Sequence, residues 1–287
     1  RGRSALQKRL GADAAIDAVG YGETVRMNRV AVSLHPAGHI LGSAQVRLHR
    51  DGEVWVVTGD FKTAPDPTCE PFEPVVCHTL VTESTFGLPV FRWPPAERVM
   101  GDIRSWWVEN RERGRTSLLH VYALGKAQRV LASLAGETGP VLVHGAVAAL
   151  NGIYEEEGLE LCPHRPVSGV SDRDLLSRAL VLAPASAAQP GWLRRFPSVS
   201  EASASGWMQI RGFRRRRALD RGFVLSDHAD WPGLLGAVEA SGAERVWALH
   251  GFARPFARYL SEKGLDARAV EVRAADGDEP GDGEDLG

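Results

Sequence analysis

Apolar positions in the first third of the chain recur with a period of two. Val30-Ala31-Val32-Ser33-Leu34 runs into a Pro/Gly turn, Ala44-Gln45-Val46-Arg47-Leu48 alternates, and Asp51-Gly52 precedes Val54-Trp55-Val56-Val57. Alternation of this kind predicts half-buried strands, and Asp-Gly between two such runs predicts a hairpin turn. A loop rich in proline (Pro65, Pro67, Pro71, Pro74) then leads to a further strand at 78–82. Beyond Pro94-Pro95 the period changes. Val99, Ile103, Trp106 and Trp107 fall on one helical face, which predicts a helix over 97–113. Strands at 118–122, 141–143, 179–183, 206–210 and 222–225 follow, with a helix at 125–134. A helix at 231–240 and a strand at 245–249 close the pattern. Strands alternating with helices argue for a largely parallel α/β sheet.

A length of 287 residues allows one large domain or two ordinary ones. No apolar run approaches the roughly 20 residues that a membrane helix needs, and no basic-then-apolar start marks a secretion signal. The first residue is Arg, so the chain is expected to be a fragment or a processed product. Cys69, Cys77 and Cys162 form no C-x-x-C pair, which suits packing thiols in a reducing cytoplasm and offers no thiolate zinc site. Six acids (Asp276, Asp278, Glu279, Asp282, Glu284, Asp285) crowd the stretch 274–287, which predicts a disordered acidic tail and leaves the rest of the chain mildly basic.

Five residues stand just beyond strand-like or apolar runs: His39 after Pro-Ala-Gly, Asp60 after Thr-Gly, Glu83 before Ser-Thr, His228 in Ser-Asp-His-Ala-Asp, and His250 in Leu-His-Gly. Each has a plain reading. His39 alone could be a surface residue, Asp60 a turn or cap residue, Glu83 an exposed acid. Asp230 is placed to cap the helix that starts at Trp231. In combination, two imidazoles and a carboxylate at different strand ends suit zinc or manganese, which take nitrogen and oxygen donors.

These segments resemble the metallo-β-lactamase superfamily, in its β-CASP branch of nucleic-acid hydrolases, and most resemble the bacterial ligase-associated DNA exonuclease type. The resemblance runs from about Val30 to about Val272. It is carried by Pro36-Ala37-Gly38-His39-Ile40-Leu41-Gly42-Ser43-Ala44, Thr58-Gly59-Asp60, Glu83-Ser84-Thr85-Phe86-Gly87, Ala204-Ser205-Gly206-Trp207-Met208, Ser226-Asp227-His228-Ala229-Asp230 and Leu249-His250-Gly251. It implies an α/β fold: a metallo-β-lactamase αββα sandwich, N-terminally incomplete here, over 1–93 and 218–273, with an inserted α/β β-CASP domain over 94–217. It implies two zinc ions, or manganese, with His39 on one metal, Asp60 bridging and His250 on the second. Glu83 would hold His228, and His228 would protonate the leaving oxygen.

The family's His-x-His-x-Asp-His motif does not occur, and no histidine precedes His35. The chain by itself is therefore expected to hold metal poorly and to be inactive alone. Lys126 and Arg129, on the helix after Tyr122-Ala123-Leu124-Gly125, and Arg214 and Arg215 in an arginine run are candidate phosphate contacts. Arginine is the default basic residue here, since only Lys8, Lys62, Lys126 and Lys263 are lysine, so a solvated charged turn is an equal reading of that run. Trp106, Trp107, Trp192 and Trp207 could stack on bases, although core packing is the better reading for most.

The resemblance implies a cytoplasmic DNA exonuclease of repair, working with an ATP-dependent DNA ligase and a helicase. An RNA nuclease of the RNase J or mRNA 3′-end processing type is the nearest alternative. A non-catalytic nucleic-acid-binding protein with a degenerate metal site is the third.

Overall fold

The computed structural model describes residues 1–136, 139–216 and 218–271. In chain order the elements are α1 (Arg3–Leu10), β1 (Thr24–Met27), β2 (Val30–Pro36), β3 (Ala44–Arg50), β4 (Glu53–Val57) and β5 (Thr79–Glu83). Next come α2 (Ala96–Glu112), β6 (Thr116–His120), α3 (Lys126–Ser133), β7 (Val141–Val143), α4 (Gly145–Glu156), β8 (Arg165–Pro166), α5 (Arg173–Arg178) and β9 (Leu180–Ala183). They continue with α6 (Pro190–Leu193), β10 (Val199–Ala204), α7 (Arg211–Arg216), β11 (Arg221–Phe223), α8 (Trp231–Ser241), β12 (Arg245–Leu249), α9 (Ala253–Glu262) and β13 (Asp266–Ala269). The chain divides into two compact units, one of Arg1–Arg92 with the chain from Asp227 onward, the other of Trp93–Ser226. The acidic stretch 274–287 lies outside the described residues.

In the first unit the described residues form a seven-stranded mixed sheet in the order β1-β2-β3-β4-β5-β12-β13. Strands β1 to β4 are antiparallel neighbours, and β4, β5, β12 and β13 run parallel. Val56, Leu80 and Val246 stand opposite one another on one face and pack against Leu234 and Val238 of α8 and Phe256 and Leu260 of α9. On the other face Leu34, Val46, Val57, Val81 and Trp247 line up in register, and all are half-buried. Trp55 and Trp247 meet there edge to face, with centroids 4.8 Å apart. Helix α8 starts where expected: Asp230 accepts the Gly233 N–H at 2.9 Å, and Pro232 occupies the first turn, where a missing N–H costs nothing.

In the second unit the described residues form a six-stranded sheet in the order β11-β10-β6-β9-β7-β8, parallel throughout. Leu119, Val143 and Leu182 face α2 and α3, while Leu118, Leu142 and Val181 pack with Leu176 of α5 and Phe196. Burial on both faces explains why these strands read as continuous apolar runs rather than as alternation.

Two expectations change. Residues 206–210 are not a strand: Gly206–Gln209 is a 3₁₀ turn, with Ser205 Oγ accepting the Trp207 N–H at 3.3 Å. The strand lies just before it, in Val199–Ala204, whose small and polar residues carry little β signal. The second unit also runs past 217, because β11 pairs with β10 and the chain leaves only after Ser226. No helix among the described residues is long and apolar enough to cross a membrane.

Candidate metal centre

The first unit places its chemistry at strand ends. Strand β2 delivers the chain to Gly38, whose φ is 70° and where a Cβ would stand 2.3 Å from the Lys62 carbonyl oxygen. Only glycine fits that approach. His39 follows; its backbone N–H donates to Ser43 Oγ at 3.1 Å, and its Nδ1 donates to the Asp227 carbonyl at 2.8 Å. That bond assigns the ring proton to Nδ1 and leaves Nε2 as a free donor atom.

Strand β4 ends at Val57, the Thr58 N–H donates to the Val81 carbonyl at 3.0 Å, and Gly59 (φ 56°) turns the chain to an exposed Asp60. Strand β5 ends at Glu83, buried to 2 % exposure and opposite Leu249 of β12. Its Oε1 accepts the Phe61 N–H at 2.8 Å and His228 Nδ1 at 2.9 Å, and its Oε2 lies 3.0 Å from the same nitrogen.

These elements bring His39, Asp60 and His228 together: one donor atom from each lies within 4.8 Å of the others. The rings of His39 and His228 stand 4.9 Å apart at 56°. Burial would push the Glu83 carboxyl up. The His228 charge and hydrogen bond, with bonds from Thr85 and the Phe61 N–H, hold it below its ordinary value instead. For His228 burial works downward, but the Glu83 charge and hydrogen bond, aided by Asp60 and Asp227, raise it to about 9. The ring therefore carries a proton at neutral pH when no metal is bound.

His250 stands elsewhere. It follows β12 with φ 59°, is exposed, and lines an open cavity of about 530 Å³ together with Phe252, Arg254 and Glu271. Among the described residues it does not join the three converging groups. Its carbonyl accepts the Ser84 hydroxyl at 2.8 Å, and the next residue, Gly251, has room for no Cβ, which would meet Thr85 Cα at 2.5 Å.

The candidate phosphate contacts belong to the second unit. Lys126 is buried with Nζ 4.5 Å from the centroid of Tyr122. Arg129 is buried at 4 % exposure and donates to the Ser226 carbonyl at 2.8 Å, so its guanidinium is engaged in holding the chain. Arg215 is exposed on α7, and the Arg214 side chain is outside the described set. Trp106 and Trp107 are core residues at 3 % exposure, and Trp207 packs on Phe213. Sequence reasoning missed that His228 reaches the other two groups, and that the Asp227 carbonyl orients His39. Backbone acceptors leave no signature in side-chain spacing.

The converging set, two imidazoles and a carboxylate, fits zinc or manganese. His39 also has the outer partner that metal-binding histidines usually have.

No protein-family model matches the chain. It is 36% identical over 272 residues to the "Probable DNA ligase" of Opitutus terrae, a match covering 94% of this chain and 26% of that protein. It is 34% identical over 130 residues to "RNase aCSPSF2" of Saccharolobus solfataricus, covering 44% of this chain and 26% of the relative. A third relative is "Endoribonuclease YSH1" of Yarrowia lipolytica, at 33% over 122 residues, 40% of this chain and 14% of that protein. The chain thus spans about a quarter or less of the length of these curated relatives. A solved structure of a protein of unknown function from Enterococcus faecalis matches the fold with TM-score 0.58 and 12% identity, covering 91% of this chain and 66% of that one.

Proposed function

This chain belongs to the β-CASP branch of the metallo-β-lactamase superfamily, and from there we propose that it is a part of a metal-dependent phosphodiesterase acting on nucleic acid. The observation that carries this reading is the convergence of His39, Asp60 and His228 beside the Glu83–His228 pair. His39 and Asp60 hold a divalent cation, with His250 as a further ligand by resemblance. A cation held there supplies Lewis acidity toward a phosphodiester. Glu83 keeps the proton on His228 Nδ1 as its partner, and Nε2 carries the proton given to the leaving oxygen. In this reading the seven-stranded sheet is one layer of an αββα sandwich, and the unit Trp93–Ser226 is the inserted β-CASP domain.

The likeness to a protein named a probable DNA ligase favours DNA as substrate. From the family resemblance of the motifs we further infer a zinc-dependent exonuclease of cytoplasmic DNA repair, working alongside an ATP-dependent ligase and a helicase. Relatives named as ribonucleases favour RNA as the second reading. Hydrolysis of matched single-stranded DNA and RNA separates the two: a clear preference for DNA is expected, and a clear preference for RNA replaces the first reading with the second. A protein that binds oligonucleotide but holds no metal is the non-catalytic binder instead.

A further inference from the structure

The second unit carries a group of side chains that the metal centre does not use. His144 follows β7, and its backbone N–H donates to the Leu182 carbonyl of β9 at 2.8 Å, so it stands at the carboxyl ends of both strands. In open α/β sheets that is the edge where ligands bind. Its Nδ1 accepts the Ala146 N–H at 3.1 Å, while burial and the nearby Arg195 charge hold the ring below its ordinary value. The neutral ring therefore carries its proton on Nε2.

Trp192 meets His144 edge to face with centroids 5.6 Å apart, is fixed from behind by Phe196 at 5.0 Å, and has the Arg195 guanidinium 5.8 Å from its ring. Among the described residues the Arg195 side chain makes its ring contact with Trp192 and no ion pair or side-chain hydrogen bond. The sequence around the group is one-sided in charge. No acid occurs from Gly139 to Tyr154 or from Ala179 to Ser200, while Arg194 and Arg195 lie within the second stretch. A ring N–H donor, a cation and an indole in one cluster suit an anion attached to an aromatic ring.

We propose that His144, Trp192 and Arg195 form a subsite for single-stranded nucleic acid, with one phosphate on Arg195 and His144 Nε2 and a neighbouring base against Trp192. The inference rests on the reading that the substrate is nucleic acid, but not on cleavage.

The test is binding of a fluorescein-labelled oligothymidylate to the protein in the presence of a metal chelator, by anisotropy over a salt series. Arg195→Gln is expected to weaken binding about fivefold at 0.1 M salt and to flatten the log–log salt slope by about 0.7, the share of one phosphate on a single strand. Arg195→Lys is expected to keep the slope, which a merely structural arginine would not require. An unchanged slope and affinity in Arg195→Gln overturns the subsite. Inorganic phosphate that shifts the His144 ring resonance while the oligonucleotide does not would also overturn it, in favour of a free-anion site. A protein that binds with this Arg195 dependence but takes up no zinc keeps the subsite and loses the nuclease reading. One that cleaves, with Arg195→Gln binding as wild type, does the reverse.

Discussion

The two units handle the faces of their sheets differently. In Trp93–Ser226 a parallel sheet is packed on both faces, with Leu119 and Leu182 toward one layer and Leu118 and Val181 toward the other. In the unit that carries the candidate metal centre, Val56 and Val246 are fully buried under α8 and α9, while Trp55, Val57 and Trp247 on the opposite face stay half-buried. The doubly covered sheet has the features of a scaffold. In the other sheet Gly38, Gly59 and His250, each just beyond the end of a strand, have positive φ. Strained turns at strand ends are where proteins place reacting groups.

The largest effect that sharpens this contrast comes from core truncation. Leu180→Ala, fully buried in the second sheet, is expected to cost about 2–5 kcal/mol, whereas Leu48→Ala on the half-buried face should cost about 1 kcal/mol. Denaturant unfolding of the two variants checks it, and equal losses would erase the distinction between the faces.

Next in size is the Glu83–His228 pair. The His228 pKa is raised from 6.5 to about 9, so its share of stability is fully present below 6.5 and fades as pH rises through 9. Glu83 is held below its ordinary value, so its share is present above the usual carboxylate range and is lost as acid protonates it. Metal-free protein should therefore be most stable between those limits. Glu83→Gln should weaken the alkaline fall, cost on the order of 2 kcal/mol, and lower the pH at which the His228 resonance titrates. Thermal melts against pH and an NMR titration read both.

Gly251→Ala should cost about 1–3 kcal/mol, since φ is 51° and the new Cβ would press on Thr85. The smallest stability change belongs to His250→Ala, about 0.5 kcal/mol or less for an exposed residue. If His250 is a ligand, zinc affinity must fall in that variant even though its melting temperature barely moves.

Much of this architecture is legible in the sequence because local period and burial agree. The alternation at 44–48 and the helical stripe Val99, Ile103, Trp106, Trp107 are found where they point. Legibility fails where residues are small or polar. Helix α4 offers alanines and two glycines, Gly145 and Gly152, instead of a clear apolar stripe, and β10 reads Val-Ser-Glu-Ala-Ser-Ala. At the centre, strand-end placement pointed to the five residues. Which of them meet is decided by sheet register, such as Glu83 opposite Leu249, and by the Asp227 carbonyl bond to His39. Neither can be counted along the chain.

Zinc affinity of the wild type, His39→Ala and His228→Ala, measured by competition with a chromophoric chelator, tests the division of labour directly. If His39 holds metal and His228 holds the proton, His39→Ala binds zinc much more weakly and His228→Ala binds it as the wild type does. Equal weakening in both variants would make His228 a ligand and contradict its assignment as the proton donor.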